Sequence, residues 1–195
     1  MSVALRRGFK TWCENAARGY RRELGLNPIA PLDPRMLAQH LGIVIWTPAD
    51  VPGIDPKDVK HLLGKARDSW SAATLRNGTT SLIIINNAHA QTRQNNSIAH
   101  EIGHIVLDHE PAKMYVTPDG LMMMSEYNTT HEEEATWFAG AILIPRDALL
   151  DVVRRGISDA IAADQLGVST ALFRMRRNRT GVDLQLSRRR GTWAP

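Results

Sequence analysis

The sequence predicts an α+β fold, made mostly of helices around a small antiparallel β-sheet. Apolar residues recur every three or four positions over residues 4–24, which is typical of one buried helix face. Two β-rich segments flank an Asn77-Gly78 turn, a strong hairpin signal. Strands and helices do not alternate as in a doubly wound sheet, so a parallel α/β architecture is disfavoured.

The other elements follow from start and stop signals along the chain. Asp33-Pro34 and Asp55-Pro56 each place a capping residue before a proline, a pattern that begins a helix. The apolar run 43–46 is typical of a buried strand. Residues 110–130 show little periodicity and are expected to form a loop. The hairpin is expected over 69–75 and 80–86, and later helices over 90–108, 130–144, 146–154, 158–166 and 169–178.

Length and composition exclude several classes of protein. A chain of 195 residues can form one sizeable core, and its balance of apolar and charged residues argues against general disorder. The single cysteine, Cys13, excludes a disulfide framework and a zinc site of several thiolates, and we expect it to be structural. No apolar run approaches bilayer length and no secretory signal is visible, so a cytoplasmic protein without a membrane partner is predicted.

The net charge of +4 is unevenly distributed. Residues 151–195 contain nine arginines and four aspartates, which gives this part +5 and the preceding part −1. Such a basic tail could contact nucleic acid or an acidic protein surface, or form only a solvated helix face.

The motif that carries chemistry is His100-Glu101-Ile102-Gly103-His104, an H-E-x-x-H. On a helix, positions i and i+4 share a face, so both imidazoles can point at one ion. Zinc accepts neutral histidine nitrogens and keeps one position open in catalytic sites. Glu101 would then act as the general base toward a water that zinc activates. Two packed histidines without a metal are the alternative interpretation.

The motif helix is apolar on its flank, so two buried histidines in it need partners. Gly103 costs about 1 kcal/mol relative to alanine inside a helix. We therefore expect a packed strand or a substrate to approach Gly103 closely.

A catalytic zinc needs a third protein ligand, for which Glu132 is favoured. Its helix face continues through small and apolar residues that would let the two helices lie close together. Those residues are Ala135, Thr136, Ala139 and Leu143. Glu134 lies about 200° around the helix from Glu132 and should not face the same ion. His131 is an alternative ligand, and manganese is an alternative to zinc at a site of two histidines and one carboxylate.

These residues resemble the ImmA/IrrE family of zinc metallopeptidases. The family pattern joins a β-segment ending in Asn, an A-H-E-[LI]-G-H helix and a later E-x-x-A-x-x-F-A-x-x-L-[LM]-P. The chain has SLIIIN at 81–86, IAHEIGHIVLDH at 98–109 and EEEATWFAGAILIP at 132–145. The resemblance covers about residues 30–150, and the family's recurrent glutamate maps to Glu132. Thr136 departs from the usual Asn or Asp, and Asp108-His109 departs from a histidine four residues after the second ligand.

The resemblance implies a zincin-like metallopeptidase domain over residues 1–150, followed by a basic helical segment over 151–195. It implies zinc at His100, His104 and Glu132, with Glu101 as the catalytic base. It also implies an intracellular regulatory peptidase that cleaves a protein substrate, such as a co-encoded helix-turn-helix repressor or antitoxin.

The C-terminal segment and the loop offer further candidates. Residues 157–181 resemble a helix-turn-helix, whose arginines could face DNA phosphates or a docked repressor, or only pack on the peptidase. A DNA-binding or repressor-binding regulator with a structural or vestigial metal site is therefore the alternative function. Tyr115 or Tyr127 could donate a hydrogen bond to an oxyanion, and residues 121–124 could line a groove for an apolar peptide.

Overall fold

The computed structural model describes residues 5–110, 114–116, 122–124 and 128–191. Within these ranges helices surround a three-stranded sheet, which confirms the α+β prediction. The helices are α1 (Phe9–Glu23), α2 (Pro34–His40), α3 (Pro56–Leu63), α4 (Gln91–Val106), α5 (Thr129–Leu143), α6 (Arg146–Arg155), α7 (Asp159–Gln165), α8 (Thr170–Thr180) and α9 (Val182–Gly191). The strands are β1 (Ile43–Trp46), β2 (Ala72–Asn77), β3 (Thr80–Ile85), β4 (Met114–Val116) and β5 (Met122–Met124).

The three-stranded sheet is mixed rather than antiparallel, in the order β1-β3-β2. β2 and β3 form the predicted hairpin, with Asn77 opposite Thr80 and Gly78 at a φ of 59° in the turn. β1 instead runs parallel to β3. The prediction of an antiparallel sheet was wrong for β1. The chain passes through α3 and β2 between β1 and β3, so β3 lies in the centre of the sheet and runs in the same direction as β1.

Most helix boundaries lie where the capping signals place them. The side chains of Asp33 and Asp55 cap α2 and α3, and each of these helices begins with a proline. α1 begins at Phe9 rather than at residue 4, because Gly8 has a φ of 83°, in the left-handed region that interrupts a helix. The hairpin strands begin and end no more than three residues from the expected bounds.

Two regions contain elements that the sequence pattern did not predict. β4 and β5 pair in antiparallel register within the segment expected to be a loop. α9 follows α8 directly after Gly181, whose φ is 64°. Both regions lack the apolar periodicity on which helices and strands are recognised from sequence.

Two hydrophobic clusters meet at the pair of helices α4 and α5. The first joins α1, α2, the sheet and the inner faces of α4 and α5 around Ile83, Ile102 and Phe138. The second joins α4 and α5 to the C-terminal helices, around Ala99 and Phe173. The C-terminal helices thus pack against the same two helices that carry the H-E-x-x-H and glutamate motifs. The division at residue 150 stays a prediction.

None of the helices in the described ranges is both long enough and apolar enough to cross a lipid bilayer.

Candidate metal centre

The two motif histidines lie side by side on α4. His100 and His104 are one turn apart, and their Nε2 atoms are 3.1 Å apart. The imidazole rings meet edge to face, with centroids 4.8 Å apart. α4 therefore directs both Nε2 atoms toward one point, as the i and i+4 spacing predicts.

Glu132 completes the cluster from the first turn of α5. Asn128 caps this helix by accepting hydrogen bonds from the backbone amides of Thr130 and His131. The Glu132 carboxylate then lies with Oε2 at 3.0 Å from Nε2 of His100 and Oε1 at 3.4 Å from Nε2 of His104. The hydrogen bond from His100, and to a smaller extent the one from His104, holds the pKa of the Glu132 carboxyl well below its ordinary value.

The three side chains fit a divalent metal ion. Their ligand atoms all lie within 4.8 Å of one another, and two imidazoles with a carboxylate are a donor set that zinc accepts. Ligand atoms at zinc-bond length on the corners of a tetrahedron are about 3.3 Å apart, and the three closest separations here are 3.0, 3.1 and 3.4 Å. The side chains of His100, His104 and Glu132 retain 23%, 20% and 31% of their exposure, so a further ligand can reach the site from solvent.

A glycine allows the two helices to bring these residues together. A Cβ atom at Gly103 would lie 3.1 Å from Cα of Ala135 and 3.2 Å from Cδ1 of Phe138. The expectation of a strand or a substrate beside Gly103 was wrong, because α5 itself approaches this glycine. Ala99, Ala135 and Ala139 are buried where α4 and α5 pack, so small residues set the spacing of the helices that bear the ligands.

Glu101 is held by a residue that the sequence pattern did not identify. Thr74 on β2 donates its hydroxyl hydrogen to Oε2 of Glu101 at 2.5 Å. Within β2, the even-numbered residues are half-buried and the odd-numbered ones are exposed. That alternation places Thr74 on the covered face, but only the packing of β2 against α4 shows that it contacts Glu101.

A second group of polar side chains lies behind His104. Nδ1 of His109 is 3.0 Å from Nδ1 of His104, and Nε2 of His109 is 3.1 Å from Oε2 of Glu134. Burial lowers the pKa of His109, although the hydrogen bond with Glu134 acts in the opposite direction. Glu134 is outside the group of three candidate ligands, in agreement with its helical angle from Glu132. His131 stacks on His109 with ring centroids 4.2 Å apart and is outside the group of three candidate ligands.

Arg76 fixes the chain where α4 ends. Its guanidinium donates to the backbone carbonyl of Ile105 at 2.7 Å and to the carboxylate of Asp108 at 2.8 Å. Asp108 has a φ of 53°, which is uncommon for a residue other than glycine. No pattern in the sequence indicates this contact, because Arg76 is distant in the chain from the end of α4. Thr136 makes no hydrogen bond to the three candidate ligands among the described contacts.

The loop candidates are only partly described. Leu121 and Tyr127 lie outside the described residues. Tyr115 and Met122–Met124 belong to β4 and β5, and their side chains also lie outside the described part of the chain. Cys13 is fully buried, and burial raises the pKa of its thiol to about 12, in agreement with a structural role.

Most of the described C-terminal arginines pair with carboxylates of this chain. Arg174 and Arg177 both contact Asp159, at 3.2 and 2.6 Å, and Arg177 also contacts Asp183 at 2.7 Å. Arg179 contacts Glu133 at 2.8 Å. The ion pairs hold α7, α8 and α9 to one another and to α5, so these arginines already have partners where the sequence suggested phosphate contacts.

Comparison with protein families agrees with this geometry. The IrrE N-terminal-like domain of the M78 peptidase family matches residues 38–178, nearly three quarters of the chain. The fold and the site define a protein of the metallopeptidase type. The chain belongs to the M78 peptidase family. No match was found among curated proteins.

Proposed function

We propose that this protein is a zinc-dependent endopeptidase in which His100, His104 and Glu132 hold the metal and Glu101 is the catalytic base. The observation that carries the proposal is the convergence of Nε2 of His100, Nε2 of His104 and the Glu132 carboxylate. Glu101 is next to His100 on α4, where Thr74 contacts it. Manganese is the alternative metal for this donor set. A bound ion would supply Lewis-acid activation of water and of the scissile carbonyl.

The protein's own residues account for the proton transfers. Glu101 accepts a proton from the attacking water and returns it to the nitrogen of the departing amine. Thr74, which donates to one carboxylate oxygen, keeps the other oxygen available for this exchange.

An edge strand beside the base supports a peptide substrate. β2 has β3 on one side and forms the edge of the described sheet. An extended peptide can add to such an edge through backbone hydrogen bonds. We propose that the substrate aligns along β2, where Thr74 already contacts Glu101.

We further propose that the substrate is a cytoplasmic helix-turn-helix repressor or antitoxin encoded beside this gene. The resemblance to regulatory ImmA/IrrE peptidases supports this assignment. Direct DNA binding receives less support, since Arg174, Arg177 and Arg179 are engaged in ion pairs within the chain.

The test is cleavage of the purified co-encoded repressor by the wild-type protein and by Glu101→Gln. We expect a loss of about 10²–10⁴-fold in Glu101→Gln, the usual contribution of a general base. The metal content should persist in that variant and fall in His100→Ala. Glu133→Gln, on the same helix as Glu132 and paired with Arg179, is the matched control and should cleave normally. Equal cleavage by wild type and Glu101→Gln would remove Glu101 from its role.

A further inference from the structure

A chain of three side chains leads from the candidate metal centre into the protein. His104 contacts His109 through their Nδ1 atoms at 3.0 Å. His109 contacts the Glu134 carboxylate through Nε2 at 3.1 Å. Both separations are hydrogen-bond distances, so each contact needs one donor and one acceptor.

Only one arrangement of protons satisfies both contacts when His104 binds a metal. Metal binding through Nε2 leaves the ring hydrogen of His104 on Nδ1, which must then donate. Nδ1 of His109 must accept, and its own hydrogen therefore lies on Nε2. That hydrogen is donated to Oε2 of the Glu134 carboxylate, which accepts it.

The surroundings hold these three residues in place. His109 and Glu134 are 6% and 9% exposed, so water is a poor substitute for either partner. The ring of His131 stacks on His109 with an interplanar angle of 4°, which fixes the plane of the imidazole. Nε of Arg6 lies 3.5 Å from the other carboxylate oxygen of Glu134 and gives that side chain a second contact.

The backbone after α4 is shaped to deliver His109 to this position. The positive φ of Asp108 turns the chain back, and the amide of His109 donates to the carbonyl of His104 at 3.0 Å. Arg76 holds the turn through Asp108 and through the last carbonyls of the helix. His109 follows His104 by five residues, one more than in the family pattern. The turn at Asp108 accommodates the additional residue and brings the imidazole of His109 to Nδ1 of His104.

We propose that His109 and Glu134 are positioning residues that hold His104 in the tautomer whose Nε2 is free to bind the metal. The inference rests on the proposed metal site. Hydrogen-bond partners of this kind typically change metal affinity by about 10–100-fold when they are removed.

The direct test is the tautomeric state of the histidines in the wild-type protein. Long-range ¹H–¹⁵N correlation spectra of ¹⁵N-histidine-labelled protein distinguish protonated from unprotonated ring nitrogens, and single His109→Gln and His131→Phe variants assign the signals. We expect hydrogen on Nε2 of His109 and on Nδ1 of His104 in the zinc-bound protein. Hydrogen on Nδ1 of His109 in the zinc-bound protein would overturn the proposal.

Zinc affinity, measured by competition with a chromophoric chelator, is the second test. His109→Leu and Glu134→Leu should weaken zinc binding by about 10–100-fold. His109→Gln should recover most of the loss, because a carboxamide keeps one acceptor and one donor. Glu133→Leu is the matched control on α5 and should bind zinc like wild type. Circular dichroism of each metal-free variant reports whether the fold is kept.

The outcomes separate this inference from the proposed function. Wild-type zinc affinity in a folded His109→Leu variant would refute the positioning role. Equal losses in folded His109→Leu and His109→Gln would refute it as well, since hydrogen bonding would then not be what matters. A protein that binds zinc with the expected tautomers and hydrolyses no peptide would refute the peptidase proposal alone.

Discussion

Replacing Gly103 with alanine probes how closely α4 and α5 must pack for the metal centre to form. The new Cβ would lie 3.1 Å from Cα and 3.2 Å from the carbonyl oxygen of Ala135, and 3.2 Å from Cδ1 of Phe138. Two of these three atoms belong to the backbone of α5, so the helices must separate by a few tenths of an ångström. Glu132, one turn earlier on α5, would move away from His100 and His104.

The magnitude follows from two opposing effects. Alanine in place of glycine stabilises a helix by about 1 kcal/mol. Overpacking a close helix contact costs about 1–3 kcal/mol. We therefore expect the Gly103→Ala protein to be less stable by up to about 2 kcal/mol in urea unfolding. Because metal–ligand distances tolerate only about 0.2 Å, we also expect zinc affinity to fall by about tenfold.

Gly19 provides the matched control within another helix. A Cβ there would meet only the tip of the Glu23 side chain, at 3.9 Å. Gly19→Ala should therefore raise the free energy of unfolding by up to about 1 kcal/mol and leave zinc affinity unchanged. A Gly103→Ala protein that is stabilised like Gly19→Ala and binds zinc with wild-type affinity would refute the packing argument.

Three more predictions concern contacts away from the helix interface. Asp147→Asn should lower the free energy of unfolding by about 0.5–1 kcal/mol near neutral pH, because the pair with Arg18 is partly exposed. The hydrogen bond from Arg18 lowers the pKa of Asp147 from its ordinary value of 3.8. This stability is therefore complete above that value and lost as the pH falls through the folded pKa, so urea titrations of the two proteins should converge in acid; a constant gap would contradict the pair. Glu14→Leu should cost about 3–5 kcal/mol, because it leaves the 2%-exposed guanidinium of Arg176 without its carboxylate, and the double variant with Arg176→Met should regain most of the loss in the same assay. Thr74→Val should lower kcat by about tenfold with little change in KM or zinc content, since only the contact with the base is removed; a change in KM alone would argue against positioning.

The local parts of the site could be predicted from sequence because they depend on helical spacing. The i and i+4 histidines share a face wherever a helix forms, and Glu132 follows from the face that continues through Ala135. The absence of Glu134 from the group of candidate ligands follows from the same geometry. These features need no knowledge of the tertiary structure.

The remaining parts depend on contacts between segments that are distant in sequence. Thr74 and Arg76 lie on one strand, and their roles appear only when β2 is placed against α4. The parallel pairing of β1 depends on which side of β3 remains free. The basic composition of the C-terminal segment allowed either a partner outside the chain or a solvated helix face, and could not show that carboxylates such as Asp159 supply partners within the chain.

The helix α1 lies before residue 38, where the match to the peptidase family begins. Nevertheless it covers the back of α5, with Phe9, Cys13 and Ala17 buried there, and Glu14 reaches the guanidinium of Arg176. A fragment cut to residues 38–178 would open this surface to water and leave a buried cation without its counter-ion. We therefore expect the smallest autonomously folding unit to be larger than the homologous segment, and truncations designed for expression should retain α1.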